Sequence, residues 1–364
     1  MTGPQGALIW RADGMDAFGQ VAAATLGNGV GVSAVRDPAT GRLDTLQAGA
    51  NAGLQHLRYL WDTAGHLESR TDLNAGLSES FSYDVLDRLE TAAVTGGPTL
   101  TLSYDAAGNL ATRTVSDSAE SADNVALALI YGGHDGRVTE IQGDLAATVV
   151  YDANGAIRKL KDPVTSNDLM SVTWTPFHKP ASITRNGVTS TFAYAPDRSR
   201  YRHDYVEAGQ SITRRYVEGV YEEVTRPGVT EHHHHIVAHG EVVATRIRRS
   251  NGVHATHWLL RDHLGSIDGV LDEAQQALRT SFDAFGGRRD PYDRDGPPPP
   301  SGFFRDRLGD RLEVLDEIPG RVAAAGAEEL MRRPQRPVEP DAAAVLLLGP
   351  LRRQPQGGVR AFLR

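Results

Sequence analysis

The 364-residue sequence contains no cysteine. A disulfide framework, a thiolate zinc site and a cysteine nucleophile are therefore excluded, because each of them requires that residue. An excess of positive charge is also lacking, since 38 Lys and Arg stand against 46 Asp and Glu, which gives a net charge of −8. This acidic balance argues against a nucleic-acid partner, which normally meets a basic surface.

Long apolar runs are missing as well. The longest aliphatic stretch, residues 342–348, is far too short to cross a bilayer, so we predict no membrane span. The first twenty residues contain no basic segment followed by an apolar run, and no secretory signal is visible there. Helical periodicity is weak throughout, whereas 38 Gly and 19 Pro indicate a chain that is rich in turns.

A repeated motif dominates what is present. Four segments share the pattern aromatic-Asp-x-x-Gly-x-aliphatic, with an Asp in place of Gly in the second: Trp61-Asp62-Thr-Ala-Gly65-His-Leu67, Tyr83-Asp84-Val-Leu-Asp87-Arg-Leu89, Tyr104-Asp105-Ala-Ala-Gly108-Asn-Leu110 and Tyr151-Asp152-Ala-Asn-Gly155-Ala-Ile157. Together with looser copies at Asp16 and Asp37, the motif recurs every 21 to 25 residues up to Asp105. Such a regular period indicates a repeat protein.

The motif has a direct physical interpretation as a β-hairpin. Asp is favoured at the first position of a type I turn, and Gly three residues later can adopt a positive φ and close the hairpin with a bulge. The aromatic residue is expected to end the incoming strand, and the aliphatic residue to begin the outgoing one on the same buried face. One Asp per unit is too few for repeated calcium sites, so the repeat aspartates are predicted to form turns. The predicted fold class is all-β, with repeated hairpins in a curled sheet.

The repeats resemble the YD repeats of the Rhs and teneurin family. The resemblance becomes more specific after residue 200, where Asp262-His263-Leu264-Gly265-Ser266, Asp272-Glu273 and Ser281-Phe282-Asp283-Ala-Phe-Gly286 occur in that order. This series resembles the Rhs repeat-associated core. We therefore divide the chain into YD repeats (1–200), a core region (201–289) and a Pro-rich linker with an atypical tail (290–364).

The resemblance implies a shell. In that family the repeats form a long β-sheet that spirals around a variable C-terminal segment, frequently a toxin, in bacterial secreted or surface proteins. It implies a scaffold without catalysis, located outside the cell or at its surface, whose partners are an encapsulated effector absent from this chain and possible secretion machinery. Members are usually much longer, so this chain would supply part of a shell. The alternative is a module for cell-surface adhesion or carbohydrate binding.

The C-terminal segment departs from the family pattern. After Gly286 the family usually continues with Gly-Phe-Thr-Gly, Tyr-Asp-Pro and Asp-Pro-x-Gly phrases, the last of which is associated with self-cleavage in some members. Here the chain continues into Pro297-Pro-Pro-Pro300 and an Ala-, Arg- and Pro-rich stretch, so no protease residues are carried over. The favoured interpretation is a frameshifted translation of the usual ending, and the alternative is a short variable tip behind a Pro-rich linker.

Three other groups of residues suggest chemistry. The run His232–His235 could supply metal ligands from alternate residues of a strand, but no carboxylate or Cys completes the set, and a His-rich strand at the wall is favoured. Asp262, His263 and Ser266 are the residue types of a hydrolase triad, yet neighbours this close rarely meet its geometry, and a turn is favoured. The basic run 246–249 and the pair Arg214-Arg215 are short and have Glu218, Glu222, Glu223 and Glu241 nearby in sequence, which predicts a solvated mixed-charge face. We predict no catalytic residue, no metal and no cofactor.

Overall fold

The computed structural model describes residues 1, 6–116, 125–132, 136–207, 209–217, 219–286, 288–292, 294, 351–353 and 359–361. Within these residues the chain forms one 25-stranded sheet and two small two-stranded sheets. A short 3₁₀ turn at Ala50–Ala52 lies between β4 and β5. No helix in the described residues is long and apolar enough to span a membrane.

The strands of the large sheet succeed one another closely along the chain. They are β1 (Trp10–Met15), β2 (Val21–Leu26), β3 (Gly31–Arg36), β4 (Leu43–Ala48), β5 (Gln55–Trp61), β6 (Leu67–Asp72), β7 (Leu77–Tyr83), β8 (Leu89–Val94), β9 (Thr99–Tyr104), β10 (Leu110–Ser116), β11 (Val125–Gly132), β12 (Arg137–Gly143), β13 (Ala147–Tyr151), β14 (Ile157–Lys161), β15 (Asp168–Trp174), β16 (Pro180–Arg185), β17 (Val188–Tyr194), β18 (Arg200–Glu207), β19 (Gln210–Val217), β20 (Tyr221–Arg226), β21 (Val229–Ala238), β22 (Glu241–Arg249), β23 (His254–Arg261), β24 (Ile267–Leu271) and β25 (Ala277–Arg279). The two small hairpins are β26 (Ser281–Phe282) with β27 (Arg288–Arg289) and β28 (Leu351–Arg353) with β29 (Val359–Ala361).

Each strand of the large sheet pairs antiparallel with the next one along the chain, so the predicted all-β class is confirmed. The motif sets the register. Its aromatic residue is the last of the incoming strand and faces its aliphatic residue, the first of the outgoing strand, as in Trp61 opposite Leu67 and Tyr83 opposite Leu89. A register shift lies beside the aromatic residue in both hairpins. A bulge at this position increases the local twist, which favours curling of the sheet.

Alternation along the strands gives the sheet two different faces. We call the inner face the one that carries Ala24, Leu57, Leu100 and Val149, all of them buried. The outer face carries Ser and Thr pairs that hydrogen-bond across neighbouring strands. These pairs include Thr71 with Ser78, Ser82 with Thr91, Ser103 with Thr112 and Thr173 with Ser182.

The sheet is a spiral whose end lies inside its beginning. Tracing the cross-strand pairs along the chain places Trp10 on the inner face and Trp258 on the outer face. These residues nevertheless share one apolar cluster, because the outer face of β22–β24 packs against the inner face of β1–β4. The turn after β24 also holds the turn after β2, since Asn28 Nδ2 donates to the carbonyl of Asp272 at 2.9 Å. The inner face is therefore the concave one.

The sheet continues without interruption across the boundary expected near residue 200. Strands β17 and β18 pair from Tyr194 opposite Arg200 to Thr191 opposite Asp204. The core region thus extends the same meander rather than forming a separate structural unit. Of the predicted linker and tail, residues 290–364, the structure describes residues 290–292 and 294 and strands β28 and β29. The expectations for the rest of the tail lie outside the described residues.

Candidate functional site

The motif aspartates shape their turns through backbone hydrogen bonds. Oδ1 of Asp105 accepts the N–H groups of Ala107 and Asn109, each at 2.9 Å. Asp84 and Asp152 also accept the N–H groups of the second and fourth residues after them, whereas Asp62 accepts those of Gly65 and His66, the third and fourth. Hydrogen bonds from the side chain and backbone of Asn109, and then from Ala107, hold the pKa of the Asp105 carboxyl below its ordinary value. Gly108, at φ 91°, occupies the left-handed region that closes the turn without steric cost.

The motif aromatics link each repeat to the one before it. Their polar tips donate to a backbone carbonyl in the first two residues of the outgoing strand of the preceding hairpin: Trp61 to Leu43, Tyr83 to Leu67, Tyr104 to Leu89, Tyr131 to Leu110, Tyr151 to Val138, Trp174 to Ile157 and Tyr194 to Pro180. The distances lie between 2.7 and 3.1 Å. The same type of bond closes the spiral, because Nε1 of Trp258 donates to the carbonyl of Ile9 at 2.8 Å.

The core turn, residues 262–266, repeats this turn geometry against the inner face of an earlier repeat. Oδ1 of Asp262 accepts the N–H groups of Leu264 and Ser266, and Gly265 has φ 82°. The backbone N–H of His263 donates to the hydroxyl of Tyr59 at 3.2 Å, and the two rings lie 4.6 Å apart. Burial, reinforced by the charge of Arg70, lowers the pKa of His263 to about 3, so the imidazole is neutral.

A group of buried charges lies beside this turn. We call the charge cluster the set Arg70, Asp72, Glu79, Asp268, Arg279 and Arg289. Glu79 is buried among three arginines, with Arg70, Arg289 and Arg294 at 2.7, 2.6 and 3.5 Å from its Oε2. Despite burial, the guanidinium groups of Arg70 and Arg289 hold the pKa of Glu79 well below its ordinary value. Arg279 bridges the other two acids, at 2.6 Å from Asp72 and 3.3 Å from Asp268.

The charge cluster joins two distant parts of the chain. Arg70, Asp72 and Glu79 belong to β6 and β7, whereas Arg279 and Arg289 belong to β25 and β27. Arg70 also donates to the carbonyl of Phe282 at 2.7 Å, which fixes the segment of the last motif turn on the early repeats. In that turn Asp283 accepts the N–H of Phe285 and lies 3.9 Å from Arg113, and Gly286 has φ 77°.

The Asp262 carboxyl has an environment unlike that of the repeat aspartates. Burial raises its pKa to about 6, Arg70 opposes this shift, and the nearby Asp268 reinforces it. The pKa of Asp268 is also raised, chiefly by burial. A cavity of about 820 Å³ opens on one side of the core turn, with Arg36, Gln55, His239 and Glu241 among its polar lining residues.

The core turn does not form a hydrolase triad. The Asp262 carboxylate accepts hydrogen bonds from backbone N–H groups, and His263 makes none to Ser266 within the described residues. Nor does the described part contain three or more His, Asp or Glu side chains grouped to hold a metal ion. The histidine run alternates as a strand requires, with His233 buried and His234 exposed.

The charge cluster was not identified from the sequence. The one local sign of it in the sequence is that Arg70 and Asp72 stand at alternate positions of β6. The equivalent positions are apolar in other repeats. Such alternation is normal for a strand with one solvated face. Nothing in the sequence shows that this face is the covered one, because Arg279 and Arg289, which cover it, lie over 200 residues away.

Comparison with solved structures places the fold among Tc toxin components. The chain is similar to the TcdB2–TccC3–TEV crystal structure, with a TM-score of 0.65 and 17% identity over 78% of this chain and 16% of that one. It is also similar to the Photorhabdus luminescens Tc holotoxin pore, with a TM-score of 0.65 and 16% identity over 78% of this chain and 16% of that one. A further TcdB2–TccC3 crystal structure matches with a TM-score of 0.64 and 16% identity over 77% of this chain and 16% of that one. No protein-family model and no curated sequence matches the chain.

Proposed function

We propose that this chain is a non-catalytic segment of an Rhs-type β-repeat shell that encloses or presents a C-terminal effector. The observation that carries the proposal is the docking of β23–β27 and the last motif turn onto the inner face of β1–β10. That docking curls the sheet around an interior instead of leaving it open. The fold likeness to Tc toxin components supports the proposal. The chain spans only 16% of those structures, so it would supply a part of the complete wall.

The motif residues act in this proposal as structural elements of the wall. Asp62, Asp84, Asp105, Asp152, Asp262 and Asp283 form turns, and the aromatic residues connect successive repeats. Residues 1–200 serve as repeats and residues 201–289 as the core region that closes the spiral. The corresponding location is outside the cell or at its surface, with an effector and secretion machinery as partners.

A protease-protection assay tests the enclosing role. An unstructured reporter peptide with one protease site is fused after Arg364 of the full chain, and the matched control carries the same peptide before Met1. If the concave side holds the chain that continues beyond the core region, the C-terminal peptide will be cut at least about ten times more slowly than the N-terminal one. This factor corresponds to about 1.4 kcal/mol of protection. Equal cleavage rates would overturn the proposal.

The variant Trp258→Ala tests whether the closed spiral is what protects the C-terminal peptide. Trp258→Ala removes the indole that joins β23 to Ile9, and should release the spiral while leaving the local hairpins paired. Protection of the C-terminal peptide should then fall toward the rate of the N-terminal one. Protection that survives the opening of the spiral would mean that the peptide is shielded by something other than the shell.

A further inference from the structure

The cavity beside the core turn lies between the two layers of the spiral. One of its walls is the inner face of β1–β5, from Trp10 to Gln55. The other wall comes from the ends of β21, β22 and β23, with Val237, Val243 and Leu260. Its volume of about 820 Å³ is within the range of cavities that hold small molecules. The cavity therefore exists only where the two ends of the sheet overlap.

Small side chains on the early strands create this space. Because the side chains of a strand alternate between faces, β2 and β3 place Ala22, Ala24 and Ala34 on the inner face, and all three line the cavity. On β9 the inner face carries Leu100 and Leu102 instead, and both are buried. Leaving apolar side chains without packing partners costs stability, and an apolar ligand in this space would restore those contacts.

The cavity is long and follows one strand. Its lining runs along β2 from Gln20 to Leu26, a distance of about 20 Å at about 3.3 Å per residue. At one end Trp10 stands opposite Leu26, and the ring of His239 packs against it at 5.5 Å. At the other end the guanidinium of Arg36 contacts the start of β2. Between these ends β2 lines the cavity with Val and Ala side chains, which suits an extended hydrocarbon chain.

Arg36 offers a recognition group at its end of the cavity. Its side chain is 19% exposed, and its Nη1 lies 3.4 Å from Oδ2 of Asp16 and 3.4 Å from the carbonyl of Val21. Both contacts are long, and within the described residues its Nε and Nη2 donate to no group. A guanidinium can bind a carboxylate through two parallel hydrogen bonds. Arg36 therefore retains donors for an anionic ligand.

The other charged groups of the lining are engaged with the protein. Arg261 donates to the carbonyls of Gly265 and Val242 and lies 3.8 Å from Glu241. The Asp262 carboxylate accepts backbone N–H groups of its own turn. The charge that the lining presents to a ligand is thus the positive charge of Arg36, which selects an acid rather than an amine.

We propose that this cavity binds a single-chain carboxylate of the fatty-acid class, with its hydrocarbon chain along β2 and its carboxylate on Arg36. An extended peptide fits less well, because the Val and Ala lining cannot satisfy its backbone N–H and C=O groups. The ligand contacts both layers, so it stabilises the closed spiral through its preference for that state. This inference goes beyond the shell role and does not depend on an enclosed effector.

The test measures binding of the full chain to decanoate by calorimetry, below the concentration at which decanoate forms micelles. Decanol and decyltrimethylammonium are the matched probes, since they keep the chain length and replace the head group by a neutral or a positive one. We expect saturable binding of decanoate with a negative heat capacity change. Decanol should bind about tenfold more weakly or worse, and the cation more weakly still.

Two variants separate the head-group contact from the hydrocarbon site. Arg36→Gln should weaken decanoate binding at least about tenfold and leave decanol binding unchanged. Its control is Arg58→Gln, on an exposed position of β5, which should change neither. Ala34→Leu fills the cavity and should abolish the binding of both probes, whereas Ala126→Leu, on an exposed position of β11, should have no effect. Urea unfolding shows that each variant is folded.

Several outcomes would overturn this assignment. It is wrong if decanoate does not bind, if decyltrimethylammonium binds equally well, or if Arg36→Gln and Arg58→Gln weaken decanoate binding to the same extent. Binding that survives in folded Ala34→Leu would place the ligand elsewhere. The protease-protection assay contains no fatty acid, and the calorimetry requires no reporter peptide, so this proposal and the proposed function fail separately.

Discussion

Trp258 and Ile9 are 249 positions apart in the chain, yet the indole Nε1 of one donates to the carbonyl of the other at 2.8 Å. In the repeats the same type of bond joins neighbouring hairpins only. The two ends of the spiral are thus joined by the same hydrogen bond, from an aromatic side chain to a backbone carbonyl, that connects each repeat to the next. Both residues lie in or beside one apolar cluster that includes Trp10, Leu260 and Leu271.

Removing this donor should loosen the closure selectively. Trp258→Phe keeps most of the apolar ring but removes one of the two donors to the Ile9 carbonyl, which still accepts the N–H of Gly27, and the free energy of unfolding should fall by about 1 kcal/mol. Hydrogen exchange should become faster in β1 and β2. Trp174→Phe is the control, because its lost bond to Ile157 is local and should leave exchange in β1 and β2 unchanged. Equal effects of the two variants on those strands would contradict the closure.

The charge cluster should be sensitive to loss of its central acid. Glu79→Gln leaves Arg70 and Arg289 buried without a counter-charge, and we expect about 3–5 kcal/mol of destabilisation in urea unfolding. The control Glu68→Gln lies on the same strand pair but is exposed, and should change stability by less than about 0.5 kcal/mol. A small effect at Glu79 would mean that the segment 277–289 does not dock on β6 and β7.

Ionisation of the buried Asp262 carboxyl should lower the free energy of unfolding as pH rises. Its folded-state pKa, about 6, exceeds the ordinary carboxyl value, so the folded state binds more protons between about pH 4 and pH 6. The favourable contribution is full below that interval and is lost as pH rises through it. Asp262→Asn mimics the protonated form and should be more stable than the wild type by about 2 kcal/mol at neutral pH, with no difference near pH 4.

Asp105 provides the opposite case for comparison. Hydrogen bonds from Asn109 and Ala107 lower its pKa, so its stabilising effect is present above the ordinary carboxyl pKa and is lost as pH falls through its folded value. Asp105→Asn should therefore be less stable than the wild type at neutral pH, and the gap should narrow in acid. Unfolding curves of the two variants that shift in the same direction with pH would refute this assignment.

The aromatic hydroxyls should contribute separately to stability. Tyr104→Phe and Tyr151→Phe each remove a donor to a backbone carbonyl and should each cost about 1 kcal/mol. The sites share no partner, so the double variant should show the sum within about 0.5 kcal/mol. Tyr201→Phe, at an exposed ring, should have little effect on the same urea midpoint. A strongly non-additive double variant would show that the repeats unfold as coupled pairs.

The local structure was predictable because the motif itself contains it. The pattern of Tyr104, Asp105, Gly108 and Leu110 specifies where one strand ends, which conformation closes the turn and where the next strand begins, and β9 and β10 obey it. These are short-range effects of sterics and hydrogen bonding, and they depend on a few adjacent residues.

The spiral overlap was not predictable in detail. It depends on small twists accumulated over more than twenty strands, which no single residue determines. The alternation of exposed and buried residues also fails where the layers overlap. His257, Trp258, Leu259 and Leu260 are all buried, because β23 is covered on both faces, and a sequence pattern alone does not distinguish such a strand from a helix segment.

The overlap also imposes an order of events during synthesis. Strands β1–β10 can pair with one another as they emerge, but the residues that cover their inner face are made more than a hundred positions later. Arg70 and Glu79 can meet early, whereas Arg289 reaches them only after nearly all of the sheet has been made. A nascent chain of this design presents a growing apolar trough to the cell until its last strands arrive. Its yield should therefore depend on holding chaperones more than the stability of the finished fold would suggest.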